Sequence, residues 1–206
     1  MTLLVATRSG GKQREVRRLL TPAGISILFP DDAGVPSDPA EDRLELADSF
    51  AANARAKAEY FARRTGLATV ADDSGIEILS LGGLPGVRSK RWAGSTATGF
   101  ELDQANNAEL LRRLLGAPAK RRRARYRCVL AYLPSPDAVP ELFEGECTGT
   151  ILEEARGHRG FGYDPLFLSD DLGKSFGEAE EAEKDGVSHR GRAFRALLER
   201  LAGRRD

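Results

Sequence analysis

Ala68-Thr69-Val70-Ala71-Asp72-Asp73-Ser74-Gly75 is the stretch from which the rest of the chain can be read. An apolar run interrupted only by Thr69 has the profile of a buried strand, and two carboxylates arrive where that strand is expected to end. Side chains of adjacent residues on an extended segment project to opposite faces, so Asp72 and Asp73 cannot share one task. One of them is expected to face a site. Gly75, Gly82, Gly83 and Gly86, with Pro85, crowd the segment that follows and suit backbone that turns sharply or approaches a ligand closely. An ordinary acidic turn would use the same residue types. Glu77 to Leu81 then reads as a returning strand.

Upstream, a helix is expected from about Ser49 to Arg64, opened by Asp48 or Ser49 and closed at Gly66. Phe50, Ala54, Ala58, Phe61 and Ala62 form its buried stripe, and Asn53 and Lys57, four apart, share another face. That face is either solvated or overlooks the carboxylates into which the helix leads. Before it, Pro30 to about Leu46 is a polar loop without apolar period, where Glu45 reads as one loop charge among several. Ile25 to Phe29 is a second strand. At the start, Leu3 to Ala6 is a buried strand that breaks into Thr7-Arg8-Ser9-Gly10-Gly11-Lys12 before a helix carrying Val16, Leu19 and Leu20. Free N–H groups and the positive dipole end at such a helix start favour an anion, and Lys12 adds a charge. It is not a Walker A loop, because Ala6 and Gln13 stand where Gly and Ser or Thr are required.

Downstream, Leu84-Pro85-Gly86-Val87 leads to Ser89-Lys90-Arg91-Trp92, where the cations suit a phosphate or a base as well as a solvated rim. Thr98 caps a helix carrying Leu102, Leu110, Leu111, Leu114 and Leu115, ended by Gly116 and Pro118. Lys120 to Arg123 reads as a solvated linker or a polyanion patch. Tyr126 to Leu133 and Glu141 to Leu152 read as a hairpin around Pro134-Ser135-Pro136-Asp137. The loop Gly157-His158-Arg159-Gly160-Phe161-Gly162-Tyr163-Asp164-Pro165 combines glycines with two aromatics, a composition suited to stacking a flat ligand. Leu166 to Leu168 is a short strand, and Lys174 to Glu183 an acidic helical turn ending at Lys184. Ser188 caps a last helix whose Phe194, Leu197, Leu198 and Leu201 face the core, with His189 and Arg190 set against the dipole in its first turn. Cations there make sense if an anion or a base carbonyl binds.

At 206 residues the chain suits one domain, and its 31 basic and 31 acidic residues give no net charge, so no global field points to a polyanion. Two histidines make no zinc-type cluster. Cys128 and Cys147 lack C-x-x-C spacing and read as buried free thiols, with a disulfide left open. The first apolar run is too short for a signal peptide and none spans a membrane, so a soluble, cytoplasmic protein is expected.

Thr7 to Lys12, Ser49 to Trp92, Gly160 to Pro165 and Ser188 to Arg190, taken in order, resemble the inosine/xanthosine triphosphate pyrophosphatase family over essentially the whole chain. D-D-S-G, L-P-G-V, F-G-Y-D-P and S-H-R in that sequence carry the resemblance. It implies an α/β fold with a long mixed twisted sheet flanked by helices, two lobes with the active-site cleft between them, and a homodimer. It also implies a Mg²⁺-dependent hydrolase that cuts dITP, ITP and XTP between the α and β phosphates. By matching position, Thr7, Arg8, Ser9, Gly10, Gly11 and Lys12 would form the phosphate loop, with Lys57 and Lys90 as further phosphate cations and Asn53 nearby. Glu45, aligned by its distance from Phe50 and Asn53, would join Asp73 as a metal ligand. Asp73 would be the proton acceptor and Ser74 a substrate contact. Phe161, Gly162, Tyr163 and Asp164 would hold the base, with Lys184, His189 and Arg190 completing its recognition.

The residues fit that chemistry on their own terms. Hard carboxylate ligands suit Mg²⁺, and scattered lysines suit a triphosphate in a chain with no charge excess. Donors at O6 would favour a 6-oxo purine over adenine. Two departures stand out: Ser9 replaces the usual Asn, and Gly177 replaces the usual Ala, which is expected to be a minor backbone change. A nucleic-acid-binding module resting on Lys120 to Arg123 and the Phe161/Tyr163 pair is the rival from another class. A serine hydrolase on Ser74 and His189 lacks the G-x-S-x-G elbow.

Overall fold

Leu3, Leu4 and Val5 are almost wholly removed from solvent, and the strand they form seeds the sheet. In a computed structural model of the chain, which describes residues 1–203, β1 (Thr2–Val5) runs parallel to β2 (Ser26–Leu28) with Leu3 opposite Ile27. On its other side β1 runs parallel to β3 (Thr69–Ile78), with Leu4 opposite Thr69 and Val5 opposite Val70. β4 (Arg123–Leu133), β5 (Glu141–Ile151) and β6 (Phe167–Ser169) complete a six-stranded sheet in the order β2-β1-β3-β4-β5-β6. β5 and β6 are antiparallel, so the sheet is mixed, as the resemblance implies. Its helices are α1 (Gly10–Leu20), α2 (Phe50–Thr65), α3 (Gly99–Arg113), α4 (Glu181–Val187) and α5 (His189–Ala202).

The chain divides into two compact units, one made of Met1–Asp73, Cys128–Gly145 and Arg190–Asp206, the other of Ser74–Arg127 and Glu146–His189. In the first unit the period of two along the strands separates two cores. Leu3, Val5, Val70, Cys128 and Leu130 pack with Val16 and Leu20 of α1 and with Phe194 and Leu197 of α5. Leu4, Ala6, Ala71, Ala131 and Leu133 pack with Ala54, Ala58 and Phe61 of α2. The small residues of α2 let the helix lie close to the sheet. Ser49 opens α2 by accepting the Ala52 N–H (3.2 Å), and Gly66 closes it in the left-handed conformation (φ 71°) that a side chain resists. In the second unit Ile76 and Ile78 of β3 pack with Leu110 of α3 and Leu114 just after it, Tyr126 of β4, Cys147 and Ile151 of β5, and Phe167 and Phe176.

Four expectations need correction. β3 does not end at the carboxylates but continues to Ile78, so Asp72 and Asp73 lie inside a strand and Glu77 to Leu81 form no returning one. The burial of both carboxylates among cations removes the need for a turn that would carry them to water. Pro39–Glu45, in the segment read as an irregular loop, is a 3-10 helix, opened by Asp38 accepting the Ala40 N–H (2.8 Å). The acidic segment before Lys184 is helical only from Glu181 onward, through Val187, and Ser188 closes it immediately before α5. In the Lys120 to Arg123 run, Arg122 is buried and donates to the carbonyls of Leu114 (2.8 Å), Ile151 (2.7 Å) and Leu152 (2.6 Å), while Arg123 pairs with Asp170. Neither is a loose linker cation. Cys128 and Cys147 are buried free thiols, as expected. Among the described residues no helix is long and apolar enough to cross a membrane.

Arg122→Met leaves three carbonyls without their charged donor, a loss of about 2–4 kcal/mol. A thermal melt should show a midpoint lower by roughly 5–12 °C.

Candidate active site

The pleat of β3 determines what each carboxylate meets. Asp72 has the parity of Val70 and turns toward α1 and α5, while Asp73 has the parity of Ala71 and turns toward α2. Asp73 is buried, accepting from Asn53 Nδ2 at Oδ2 (3.0 Å) and from Lys57 Nζ at Oδ1 (3.1 Å). Asn53 and Lys57 lie one turn apart on α2, so the pair read from their spacing does overlook the carboxylate. Lys57 also donates to Glu45 Oε1 (3.0 Å) and to the Asp72 carbonyl (2.6 Å), and Asn53 Oδ1 accepts the Ala47 N–H (2.9 Å). One ammonium thus gathers Glu45 and Asp73, whose closeness no local signal in the Pro30 to Leu46 segment announces. Burial alone would lower the Lys57 pKa, but Asp73, Glu45 and Asp72 outweigh it and raise it, so the ammonium stays charged.

On the opposite face, Asp72 pairs with Lys12 of α1 (3.0 Å) and with Arg190 of α5 (3.1 Å), and Arg190 also bonds Glu15. Burial would raise the Asp72 pKa; Lys12, Arg190 and Lys57 overcome it and hold the carboxyl below the usual carboxylate range. Beside it, burial first and the Asp72 charge second push the Cys128 thiol up, which keeps it unreactive. Neither the partnership of Asp72 with three cations nor the buried Glu15 was legible from spacing, because the partners lie on separate segments.

The loop ahead of α1 places Ser9 at the N-cap with no side-chain cap bond. Its backbone N–H donates to Thr7 Oγ1 (3.2 Å), and Gln13 Nε2 donates to the Thr7 carbonyl (3.1 Å). Gly10 and Gly11 form the first turn with Lys12, so the helix N-terminus is framed by glycine backbone and a cation. Arg8 points elsewhere. It donates to both carboxylate oxygens of Glu41 (2.7 and 2.8 Å), to Asp31, and to the carbonyls of Val35 (3.0 Å) and Pro36 (3.1 Å). It therefore ties the phosphate-loop segment to the 3-10 helix that carries Glu45.

The second unit holds the other group. Asp164 is buried; its Oδ2 accepts from Lys184 Nζ and from the Phe161 N–H (2.8 Å), and its Oδ1 accepts from Tyr126 Oη (3.5 Å). The Gly162 N–H donates to Asp103 Oδ2 (2.7 Å) and its carbonyl accepts from Asn107 Nδ2 (3.0 Å). Burial raises the Asp103 pKa against the lowering effect of that N–H. Tyr163 Oη donates to the Ser89 carbonyl (2.8 Å), and its phenol is pushed up by burial and by Asp103. Tyr163 and Asp164 therefore brace the loop, whereas the half-buried Phe161 ring has the Lys184 ammonium 5.2 Å from its centre. His189 lies stacked on Tyr126 (4.6 Å, 7°). Lys90 is exposed on the 3-10 helix Gly86–Arg91, and Ser74 is half-buried on β3.

Close backbone packing explains the glycines of this loop. A Cβ on Gly160 would lie 2.1 Å from Asp164 Oδ2, and one on Gly177 would lie 2.4 Å from the Arg156 carbonyl oxygen and 2.8 Å from Pro165 Cα. Glycine at 177 is thus no minor change: Gly157, with φ of 74°, approaches it so closely that its own Cβ would sit 2.1 Å from the Gly177 carbonyl group.

Among the described residues no group of three or more His, Cys, Asp or Glu is placed to hold a metal. Glu45 and Asp73, two hard oxygen donors gathered by one cation, nonetheless match what Mg²⁺ asks of a protein, since it keeps waters and takes phosphate oxygens for its other positions. The chemistry available is anion binding at the α1 N-terminus and Lys12, and proton acceptance by Asp73 of the same unit.

A family model described as the Ham1 family matches residues 3–200. The chain is 45% identical over 205 residues to a protein of Thioalkalivibrio sulfidiphilus named dITP/XTP pyrophosphatase, covering 99% of this chain and 100% of that one. It is 44% identical over 201 residues to one of the same name from Frankia alni, covering 96% and 95%. A solved structure of a HAM1 protein from Coxiella burnetii superposes with a TM-score of 0.84 at 33% identity, covering 98% of this chain and 99% of that one.

Replacing Arg8 by Met should free the segment it anchors. Amide hydrogen exchange across residues 31–46 is expected to quicken by about tenfold, while exchange in β1 and α2 stays unchanged.

Proposed function

The chain belongs to the Ham1 family, and from there we propose that it hydrolyses dITP, ITP and XTP to the monophosphate and pyrophosphate, clearing deaminated purines from the nucleotide pool. The observation that carries this reading is the placement of Asp73: a buried carboxylate gathered with Glu45 around Lys57 and backed by Asn53. The names of the relatives support the substrate class.

In this reading the first unit handles the polyphosphate. The α1 N-terminus and Lys12 bind phosphate oxygens, and Lys57, charged at neutral pH, adds a further cation. Asp73 accepts the proton of the attacking water, and Asn53 holds the carboxylate in orientation. Glu45 and Asp73 would hold Mg²⁺, which when bound supplies charge neutralisation on the phosphates. Arg8 sets the segment bearing Glu45 and is not assigned to phosphate itself.

The second unit handles the base. Phe161 supplies a ring face, and Lys184 and His189 are its donors toward a 6-oxo group. Adenine would set an amine against those donors and is disfavoured. The Phe161 and Gly162 N–H groups are already bonded to Asp164 and Asp103, so the loop's rigidity rather than its backbone donors is what the base meets. We extend the reading to a homodimer, on the sequence resemblance alone, acting in the cytoplasm.

Incubation with Mg²⁺ and, separately, dITP, XTP, dGTP and dATP tests the proposal. Monophosphate plus pyrophosphate from dITP and XTP, with little from the others, is expected. Orthophosphate alone, or no cleavage, overturns it, and cleavage of all four leaves a pyrophosphatase of different base preference. In the same assay His189→Ala should lower the dITP-to-dATP preference by about tenfold, the value of one lost hydrogen bond.

A further inference from the structure

We propose that Asp103 and Asn107 of α3 are positioning residues of the aromatic loop, which fix the backbone of Gly162 and through it the ring face that selects a 6-oxo purine over adenine. The inference rests on the base role given to the Phe161 loop above. Its ground is the convergence of two side chains on one residue. Asp103 Oδ2 accepts the Gly162 N–H at 2.7 Å, and Asn107 Nδ2 donates to the Gly162 carbonyl at 3.0 Å. Four apart on α3, the two share one face of the helix, and helix and loop belong to the same unit.

Gly162 is the pivot of the loop. Its φ of 63° lies in the left-handed region, and a Cβ there would meet nothing within 4 Å, so glycine is present for its conformation and not for close packing. Its N–H belongs to the peptide shared with Phe161 and its carbonyl to the peptide shared with Tyr163. Holding both fixes the peptide planes on either side of the residue type with the most backbone freedom. Upstream the Phe161 N–H is bonded to Asp164, and downstream Tyr163 Oη reaches the Ser89 carbonyl. Without α3 these two anchors would be joined through an unclamped glycine, and the Phe161 ring would tilt between them.

Neither side chain is placed where it best serves stability. Asp103 is half-buried; burial pushes its pKa up, the Gly162 N–H pulls it down, and no cation contributes. An ionised carboxyl there costs free energy that a neutral acceptor would not. Asn107 directs its amide donor at Gly162 and leaves Oδ1 buried, without a partner among the described residues. Turning the amide over would set its oxygen against the carbonyl, so the hydrogen bond decides the orientation. The neighbouring Asn106 is the contrast. It is buried and uses both ends, donating to the Lys90 carbonyl (3.1 Å) and accepting the Ala93 N–H (2.9 Å), as a side chain that only braces a loop does. Two unfavourable placements on one turn of helix, both serving one glycine, point to a defined loop backbone as what is gained.

The experiment measures kcat/KM for dITP and dATP with Mg²⁺, amide hydrogen exchange at residues 161–164, and the thermal midpoint. It uses the wild type, Asp103→Ala, Asp103→Asn and Asn107→Ala. Each alanine variant should quicken exchange across the loop and lower the dITP-to-dATP ratio about fivefold, the value of one hydrogen bond. Asp103→Asn keeps an acceptor for the Gly162 N–H and removes the half-buried charge, so it should hold the ratio within about twofold and melt no lower than the wild type. A merely structural role would lower kcat/KM for both substrates alike and leave the ratio unchanged. An unchanged ratio or unchanged exchange in the alanine variants, or a loss in Asp103→Asn as large as in Asp103→Ala, overturns the proposal. Wild-type protein that does not prefer dITP to dATP overturns instead the base reading beneath it. Should an alanine variant fail to fold, Asn107→Asp takes its place, being of the same size but unable as a carboxylate to donate to the carbonyl: a lowered ratio supports the proposal, and an unchanged one overturns it.

Discussion

Two carboxylates on consecutive residues of one strand cannot face the same way, and most of the first unit is arranged around that constraint. β3 is buried on both faces, so each carboxylate needs its own cations. Asp72 meets Lys12 and Arg190, and Asp73 meets Lys57 and Asn53. The division of labour follows from the pleat. The carboxylate on the α1 and α5 face is held by Lys12 and Arg190, while the one on the α2 face lies beside Glu45, with a second acidic side chain at the same ammonium. The carboxylate proposed as proton acceptor and a structural anion can thus stand side by side without exchanging roles.

The second unit solves a different problem. A loop with three glycines between Gly157 and Gly162 has to present one aromatic face, and it is held from within. Asp164 bonds the Phe161 N–H and Lys184, Asp103 takes the Gly162 N–H, and Tyr163 reaches the Ser89 carbonyl. The glycines at 157, 160 and 177 then serve close packing of backbone on backbone and on Asp164. Rigidity of this kind is what the proposed base discrimination would require, since a donor that can relax penalises a wrong group little.

Much of this was legible in the sequence, and the limits follow distance along the chain. The α2 stripe, its Ser49 cap, its Gly66 stop and the Asn53/Lys57 face depend on neighbours within a few residues, and the structure bears them out. The opposed directions of Asp72 and Asp73 were readable from the pleat alone. What could not be read was the continuation of β3 past the carboxylates, because the cations that allow it, Lys12, Lys57 and Arg190, come from three distant segments. The anchoring of the Arg8 side chain was hidden for the same reason: its partners Asp31 and Glu41 lie in a segment with no apolar period to mark it as ordered. Arg122 looked like one more cation in a basic run until three carbonyls converged on it.

The most direct measurement compares Asp73→Asn with Asp72→Asn, recording pyrophosphate release from dITP and the thermal midpoint of each. Asp73→Asn is expected to fold and to lose turnover by about a thousandfold or more, as for loss of a general base with its bound charge. Asp72→Asn, which leaves Lys12 and Arg190 without their shared anion, is expected to lose about 3–5 kcal/mol of stability. Normal turnover by a folded Asp73→Asn would contradict the assignment of the reaction to that carboxylate and to its face of the strand.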